Sequence, residues 1–173
     1  MRNAFIQFKN NYWEQSKGML LLMLMILLSV GYFSARYTFA YNGAISDCLN
    51  SRFFLVDTWT KEIKRGELAA FVNQNDTRLF KKGGKWIKMV AAKGGDNVRV
   101  TYDNLKVNDS ITYNVNLWYT LSKLGMEMSE IKQDIHLEPN QLFMIGETST
   151  SYDSRYWGPI EQTDVFGRAY AIF

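Results

Sequence analysis

The 173-residue chain is poor in the residues that build metal centres and disulfide frameworks, because it contains one cysteine and one histidine. A zinc site of Cys and His ligands takes four such side chains and a disulfide takes two cysteines, so neither can form within this chain. Prolines number only two, and neither an internal repeat nor a low-complexity linker interrupts the sequence. We therefore expect no metal, no cofactor, and a single domain after the N-terminal region.

Charge of one sign is also scarce, with 20 basic against 17 acidic residues and a formal net charge of +3. Proteins that bind nucleic acids concentrate positive charge on one face. The one tight basic cluster, KKGGK at 81–85, is more typical of an exposed hairpin turn. The sequence therefore predicts no nucleic-acid partner.

Apolar residues are plentiful, and the run GMLLLMLMILLSVGYFSA at 18–35 concentrates them between Lys17 and Arg36 without a charge. A helix rises about 1.5 Å per residue, so this run spans most of the hydrocarbon core of a bilayer. A buried core helix would carry a polar face, and positions 19–28 carry none. A cleaved signal peptide is the alternative, but the run is long and no A-x-A box follows it. We expect a retained transmembrane anchor.

The segment before this run indicates how the anchor is oriented. It carries one acidic residue, Glu14, against three basic ones, Arg2, Lys9 and Lys17. Basic residues beside a membrane span remain on the cytoplasmic side. We therefore predict a single-pass protein of the bacterial inner membrane, with residues 1–17 in the cytoplasm, 18–35 as the anchor and 36–173 in the periplasm.

Short β-type segments dominate the rest of the chain. They are rich in β-branched and aromatic residues and are separated by Gly, Asn and Asp turns. One segment, 116–133, instead spaces its apolar residues as a helix does, which predicts a helix or two short helical turns. The predicted fold is mainly β, with an N-terminal transmembrane helix and one β-rich domain that has a small helical insertion. The predicted strands are 52–59, 67–72, 86–92, 97–102, 105–108, 110–115, 141–146 and 169–173.

Four segments stand out in order along the chain: KRGELAAF (64–71), WIKMVAAKGGDNVRV (86–100), NLKVND (104–109) and FMIGETSTSYDSRYWGPIEQTDVFGRAYAIF (143–173). Together they resemble the type I signal peptidase (leader peptidase) family of membrane-anchored Ser/Lys proteases. The last is the most specific, since SYDSRYWG is followed by GRA ten residues after its tryptophan. The small size and the short spacing between the segments look most like the TraF-type peptidases of conjugative transfer systems. The resemblance implies a signal-peptidase-like catalytic domain.

The resemblance places Lys88 at the family's catalytic lysine, which acts as a general base. A lysine can accept a proton only when it is neutral, and burial between apolar strands favours the neutral form. Alternation along WIKMVAA puts Lys88 on one face with Trp86 and Val90, and Ile87 and Met89 on the other. The strand pattern alone also fits a lysine on an edge facing solvent.

The final segment supplies the residues that the resemblance implies will support this lysine. Ser151 falls where the family's serine hydrogen-bonds the lysine. Asp153 and Arg155 fall where a structural ion pair with bidentate geometry is expected. Asp96 marks the turn after the lysine strand. GETSTS replaces the family's G-D-N sequence, so we do not expect Glu147 to reproduce the usual aspartate contact.

The family's first motif, S-x-S-M-x-P or S-L-P in TraF-type relatives, is absent. Residues 48–50 (CLN) fall in that place, and Cys48 precedes Lys88 by 40 residues. A thiol has a pKa of about 8.5 and is easier to deprotonate than a hydroxyl. The resemblance therefore implies that Cys48 replaces the nucleophilic serine and that Ser46, two residues before it, donates to the oxyanion. The alternative makes Ser46 the nucleophile and Cys48 a packed side chain.

The resemblance therefore implies a membrane-anchored endopeptidase that removes a leader peptide or trims a pilin subunit for a conjugative transfer or type IV secretion system. Its expected partners are a leader peptide or pilin-type protein, the lipid bilayer and other proteins of the transfer apparatus. A general type I signal peptidase and a catalytically inactive scaffold subunit are the alternatives. Whether the product is cleaved or cyclised stays open.

Overall fold

The computed structural model describes residues 2–42 and 48–172, with side chains from Ser16 onward. The chain forms two compact units, Met1–Tyr37 and Thr38–Phe173.

The first unit is one long helix, α1 (Arg2–Arg36). Its segment Ser16–Arg36 is long and apolar enough to cross a membrane. The side chains at positions 16–35 are exposed. A core helix of a soluble protein would bury its apolar side chains, so this surface is suited to lipid rather than to a protein interior.

The second unit contains two β-sheets. The larger has the strand order β1-β2-β11-β3-β4-β9-β10, and antiparallel pairs join β2 through β10 in that order. The smaller has the order β7-β6-β5-β8. The strands are β1 (Tyr37–Tyr41), β2 (Phe53–Asp57), β3 (Leu68–Val72), β4 (Lys85–Lys93), β5 (Asn97–Val100), β6 (Asn104–Val107), β7 (Ile111–Asn114), β8 (Asp134–His136), β9 (Gln141–Ile145), β10 (Ile160–Glu161) and β11 (Val165–Ala171).

The helical insertion follows the smaller sheet as α2 (Leu117–Leu124) and a 3-10 turn, Met128–Glu130. The Asn116 side chain accepts from the backbone N–H of Tyr119 at the start of α2, as N-cap residues do. Gly125 ends the helix at φ 59°, a left-handed conformation that glycine adopts without penalty. This glycine is why the segment 116–133 forms two pieces. The remaining helical elements are α3 (Ser154–Trp157) and a 3-10 turn, Gln162–Asp164.

Strand β4 contributes to all three hydrophobic clusters of the second unit. Val90 belongs to one cluster, Ala91 and Ala92 belong to a second, and Ile87 packs against a third. Alternate residues of a strand point to opposite faces, so a central strand serves more than one cluster. Because β4 lies among these clusters, a polar side chain in its middle has apolar neighbours.

The mainly β fold with an N-terminal apolar helix is confirmed. Each of the eight predicted strands overlaps an observed one, although β11 begins at Val165 rather than at residue 169. The sequence prediction missed three strands, β1, β8 and β10, and the short helix α3.

Candidate active site

Lys88 lies in the middle of β4 and is buried, with 4% of its surface exposed. Its Nζ donates a hydrogen bond of 2.8 Å to the Oγ of Ser151 and lies 5.9 Å from the centre of the Trp86 ring. Val90, on the same face of the strand, is fully buried. The side chain therefore does not face solvent, and a serine hydroxyl fixes its end.

Gly146 lets the segment that carries Ser151 approach the turn that carries Cys48. A Cβ added at Gly146 would collide with the Ser151 side chain and lie 2.6 Å from the backbone oxygen of Cys48. Only a residue without a side chain fits between them. The end of β9 thus brings two of the predicted site residues together.

The backbone around Ser151 is supported by a buried ion pair. Arg155 donates from Nε and Nη2 to the two carboxylate oxygens of Asp153, each at 2.6 Å, which is a bidentate arrangement. A second bond from Nη2 reaches the backbone oxygen of Ser151 at 2.9 Å. Asp153 also accepts from the backbone N–H of Gly146 at 2.8 Å. The pair therefore holds the backbone on both sides of the close approach between Gly146 and Ser151.

Burial and the charge of the partner have opposite effects on the pKa of each member of this ion pair. Burial alone would raise the pKa of Asp153, but the charge and hydrogen bonds of Arg155 and the hydrogen bond from the Gly146 N–H hold that pKa below its usual range. Burial alone would lower the pKa of Arg155, and Asp153 raises it above its ordinary value. Both groups therefore remain ionised at neutral pH, which keeps the bidentate geometry intact.

Cys48 is buried at 6% exposure and lines the same cleft as Lys88 and Ser151. Its backbone oxygen accepts from the N–H of Glu147 at 2.8 Å, and the Glu147 carboxylate accepts from the N–H of Asn50 at 2.8 Å. Glu147 therefore fastens the Cys48 turn to the end of β9. This role was missed from the sequence, although GETSTS in place of the family's G-D-N marked the position as unusual.

The two other predicted residues differ in what the structure says of them. Ser46 lies in 43–47, outside the described residues. Asp96 lies apart from the cleft and holds the turn after β4, accepting from the Lys93 N–H and the Asn108 side chain and pairing with Arg65. Burial would raise its pKa, but the bonds from Lys93, Arg65 and Asn108 hold that pKa below its usual value.

The cleft has a volume of about 860 Å³. Its walls are mostly aromatic and apolar, with hydroxyl, amide and lysine side chains among them, and they include β1, the first half of β4 and the helix α2. Strand β4 pairs with β9 only from Met89 onward, whereas its first four residues, 85–88, have a sheet neighbour only on the β3 side. The open edge of β4 and the Lys88 amine thus lie in one cleft. The aromatic wall residues are Phe39, Tyr41, Phe80, Trp86, Tyr119, Tyr152 and Phe166.

Among the described residues, no group of three His, Cys, Asp or Glu side chains is placed to hold a metal ion. A buried lysine that shares a cleft with a nucleophilic side chain is instead typical of peptidases in which lysine takes the place of histidine as the base.

Comparison with known proteins identifies which of these peptidases the chain is related to. Residues 12–173 match the model of the signal peptidase family, peptidase S26, and the chain belongs to that family. Over 168 residues it is 22% identical to the "Probable signal peptidase I-2" of Synechocystis sp., covering 94% of this chain and 74% of that protein. A crystal structure of a signal peptidase I from Enterococcus faecalis aligns with 62% of this chain and 96% of its own, at 22% identity and a TM-score of 0.41. Family membership implies a serine-type endopeptidase.

Proposed function

We propose that the chain is a membrane-anchored endopeptidase in which Cys48 is the nucleophile and Lys88 the general base. The observation that carries the proposal is the buried Lys88 amine, held by Ser151 in the cleft that Cys48 also lines. A buried amine fixed in one direction serves little purpose in a scaffold, because removing it from water is costly. Proton transfer to a positioned group gives that cost a function.

The proposed reaction has two stages. In the first, the Cys48 sulfur attacks the carbonyl carbon of the scissile peptide bond, and its proton passes to the Lys88 amine. The carbon–nitrogen bond then breaks, and the leaving amine takes the proton from Lys88. In the second, Lys88 accepts a proton from a water that attacks the thioester, and the proton returns to the sulfur as the carboxylic product leaves. Ser46 is proposed to donate to the oxyanion in both stages.

The substrate is proposed to bind as an added strand on the open edge of β4. Residues 85–88 offer backbone groups on the side where β9 is absent, which is the requirement for strand addition. The catalytic unit is proposed to lie in the periplasm and to process leader peptides or pilin subunits of a conjugative transfer system. General type I signal peptidase activity is the second candidate, and the match across 94% of the chain favours it.

The test compares mature N-termini in cells that contain the wild type, no enzyme or a variant. We expect Cys48→Ala and Lys88→Ala to abolish processing and Cys48→Ser to retain part of it. Ser46→Ala should lower the rate by a factor of about 10² to 10³, as loss of one oxyanion donor does. Lys106→Ala, an exposed lysine on β6, is the matched control. A thiol alkylating agent should inactivate the wild type.

The opposite results assign other roles. Loss of processing in Ser46→Ala with full activity in Cys48→Ala would make Ser46 the nucleophile. Full activity in Lys88→Ala would remove the lysine base from the mechanism. If the wild type produces no new N-termini, the chain is a scaffold subunit. The set of processed proteins separates pilin trimming from general leader peptide removal.

A further inference from the structure

Within the described residues, the basic and acidic side chains that line the cleft are lysines alone. They are Lys85, Lys88 and Lys123, and no described aspartate or glutamate lines the cleft; Asp47, next to Cys48 in the sequence, lies outside the described residues. Lys88 is buried and held by Ser151, whereas Lys85 and Lys123 are exposed. We call Lys85 and Lys123 the rim lysines.

Each rim lysine rests on an aromatic ring that also lines the cleft. The Nζ of Lys85 lies 5.6 Å from the centre of the Phe166 ring, and that of Lys123 lies 5.0 Å from the centre of the Tyr119 ring. Within the described part of the chain, neither ammonium group has a carboxylate partner within 4.0 Å. An aromatic face orients a cation without neutralising it. Both positive charges therefore remain available to a ligand.

The helix that carries Lys123 is fastened to the segment that carries Ser151. The Thr120 hydroxyl donates to the backbone oxygen of Thr150 at 3.3 Å. The N–H of Asn116 donates to the backbone oxygen of Ser149 at 3.1 Å. Lys85 belongs to the same strand as Lys88, three residues before it, so alternation places its side chain on the opposite face of β4, together with Ile87. The strand and the fastened helix thus set where the backbone of each rim lysine lies relative to the proposed site of cleavage.

A cleft with charges of one sign and apolar walls concentrates ligands of the opposite sign. We infer that this cleft selects peptides that carry an aspartate or glutamate near the scissile bond, and that Lys85 and Lys123 determine this specificity. The inference rests on the proposed function, because that function places the scissile bond beside Cys48 and Lys88. Three residues of a strand span about 10 Å, so a substrate strand along β4 places the side chain that meets Lys85 about three residues from the scissile bond.

The experiment uses the full-length chain in detergent and a peptide library made by digesting a bacterial proteome. Mass spectrometry of the products identifies each cleavage site that depends on Lys88. We expect Asp and Glu to be enriched about two- to fivefold within three residues of the cleaved bond, as exposed ion pairs allow. The enrichment should vanish in Lys85→Gln/Lys123→Gln, reverse toward basic residues in Lys85→Glu, and weaken in 0.5 M salt. Lys106→Gln, exposed and outside the cleft, should retain it.

The failures of this inference and of the proposed function are distinguishable. Lys88-dependent cleavage without acidic enrichment, or with an enrichment that the double variant retains, overturns the inference and leaves the proposed function standing. Absence of any Lys88-dependent cleavage overturns the proposed function. In that case the inference is tested by binding: the Lys88→Ala variant, which keeps both rim lysines, is immobilised and the peptides that it captures are identified. Preferential capture of acidic peptides that the added rim substitutions remove supports acidic selectivity, and equal capture of acidic and neutral peptides overturns it.

Discussion

The hydroxyl of Ser151 fixes the direction of the Lys88 amine at the residue scale. Ser151 is buried at 1% exposure, and its oxygen accepts the 2.8 Å hydrogen bond from Nζ. We expect Ser151→Ala to lower kcat about ten- to hundredfold with little change in KM, because the base loses its alignment while the walls of the cleft stay in place. Steady-state kinetics on a cleaved peptide measure both constants.

Two further variants separate alignment from general loss of structure. Ser151→Thr keeps a hydroxyl and should recover much of the lost kcat. Ser149→Ala removes an exposed hydroxyl in the same segment and should leave both constants unchanged. If Ser151→Ala raises KM and leaves kcat intact, Ser151 contacts the substrate rather than positioning the lysine.

Asp153 links the site to the acid stability of the fold. Its folded-state pKa is below the unfolded value of about 3.9, so below that value the unfolded state binds more protons than the folded state. The ion pair with Arg155 therefore stabilises the fold fully above about pH 5. That stabilisation declines as pH falls through the folded pKa. We expect the free energy of unfolding, measured by urea titration in detergent, to drop between pH 5 and pH 2.

Asp153→Asn tests this assignment, since it removes the titrating group and leaves Arg155 buried. Breaking a buried pair costs about 3–5 kcal/mol at neutral pH, and the acid-dependent loss should then become smaller. Asp109→Asn removes the same charge at an exposed position, 3.9 Å from Arg99, and should leave both quantities nearly unchanged. An acid response in Asp153→Asn equal to that of the wild type would place the titrating group elsewhere, with Asp96 the next to replace.

The contact between the end of β9 and the Cys48 turn decides the geometry of the site at the element scale. Gly146 has no room for a side chain, and one of the groups that an added Cβ would meet is backbone. A backbone oxygen cannot turn away as a flexible side chain can. We expect Gly146→Ala to displace Ser151 or the Cys48 turn, to abolish cleavage, and to destabilise the fold by about 1–3 kcal/mol. Peptide cleavage and urea titration measure the two effects.

Gly31→Ala is the matched control, because an added Cβ at Gly31 has nothing within 4 Å. It should leave cleavage unchanged and keep the helix, since alanine favours helix more than glycine does. Normal cleavage by Gly146→Ala would show that the two segments can separate without loss of function, and the close approach would then be unimportant for catalysis.

The strands that could be predicted from the sequence are those long enough to show alternating apolar residues or an enrichment in β-branched and aromatic residues. β4 alternates around Lys88 and contributes to three clusters, so its apolar residues are dense on both faces. β8 and β10 have three and two residues, too few for any alternation to be recognised. β1 follows the apolar run directly, so its aromatic residues are hard to separate from the anchor. These strands form only because a neighbouring strand pairs with them.

The candidate site also contains residues that sequence motifs marked and residues that only the fold brings together. The resemblance of segment 86–100 marked Lys88, and that of the final segment marked Ser151, Asp153 and Arg155; the fold buries all four. The walls of the cleft come from β1, α2 and β11, which are far apart in sequence. β1 and β11 come close through the strand order of the larger sheet, whereas α2 is held by hydrogen bonds to the backbone of residues 149 and 150. Lys123 therefore carried no sequence signal, because its relation to Lys88 depends on contacts that local patterns do not encode.

At the scale of the whole molecule, the chain divides into an apolar helix that can anchor it and a unit that carries the candidate active site. The segment Ser16–Arg36 exposes apolar side chains along its length, and family membership fits membrane anchoring. Three basic residues precede the segment's apolar run, against one acidic residue. An anchored enzyme meets its substrates at the membrane, where leader peptides emerge. This geometry works only if the catalytic unit lies on the side to which the substrates are exported.

We therefore expect protease added to spheroplasts to digest residues 38–173 and to leave a tag placed before residue 1 intact, because basic residues beside a membrane span favour the cytoplasmic side. Immunoblots against the tag and against the catalytic unit measure both ends, and a cytoplasmic marker protein shows that the inner membrane is closed. Replacing Arg2 and Lys9 with Gln should raise the fraction of inverted chains, whereas replacing Lys106 and Lys132, far from the anchor, should not. Protection of the catalytic unit with loss of the tag would reverse the orientation. It would also rule out processing of exported leader peptides at the outer face of the membrane.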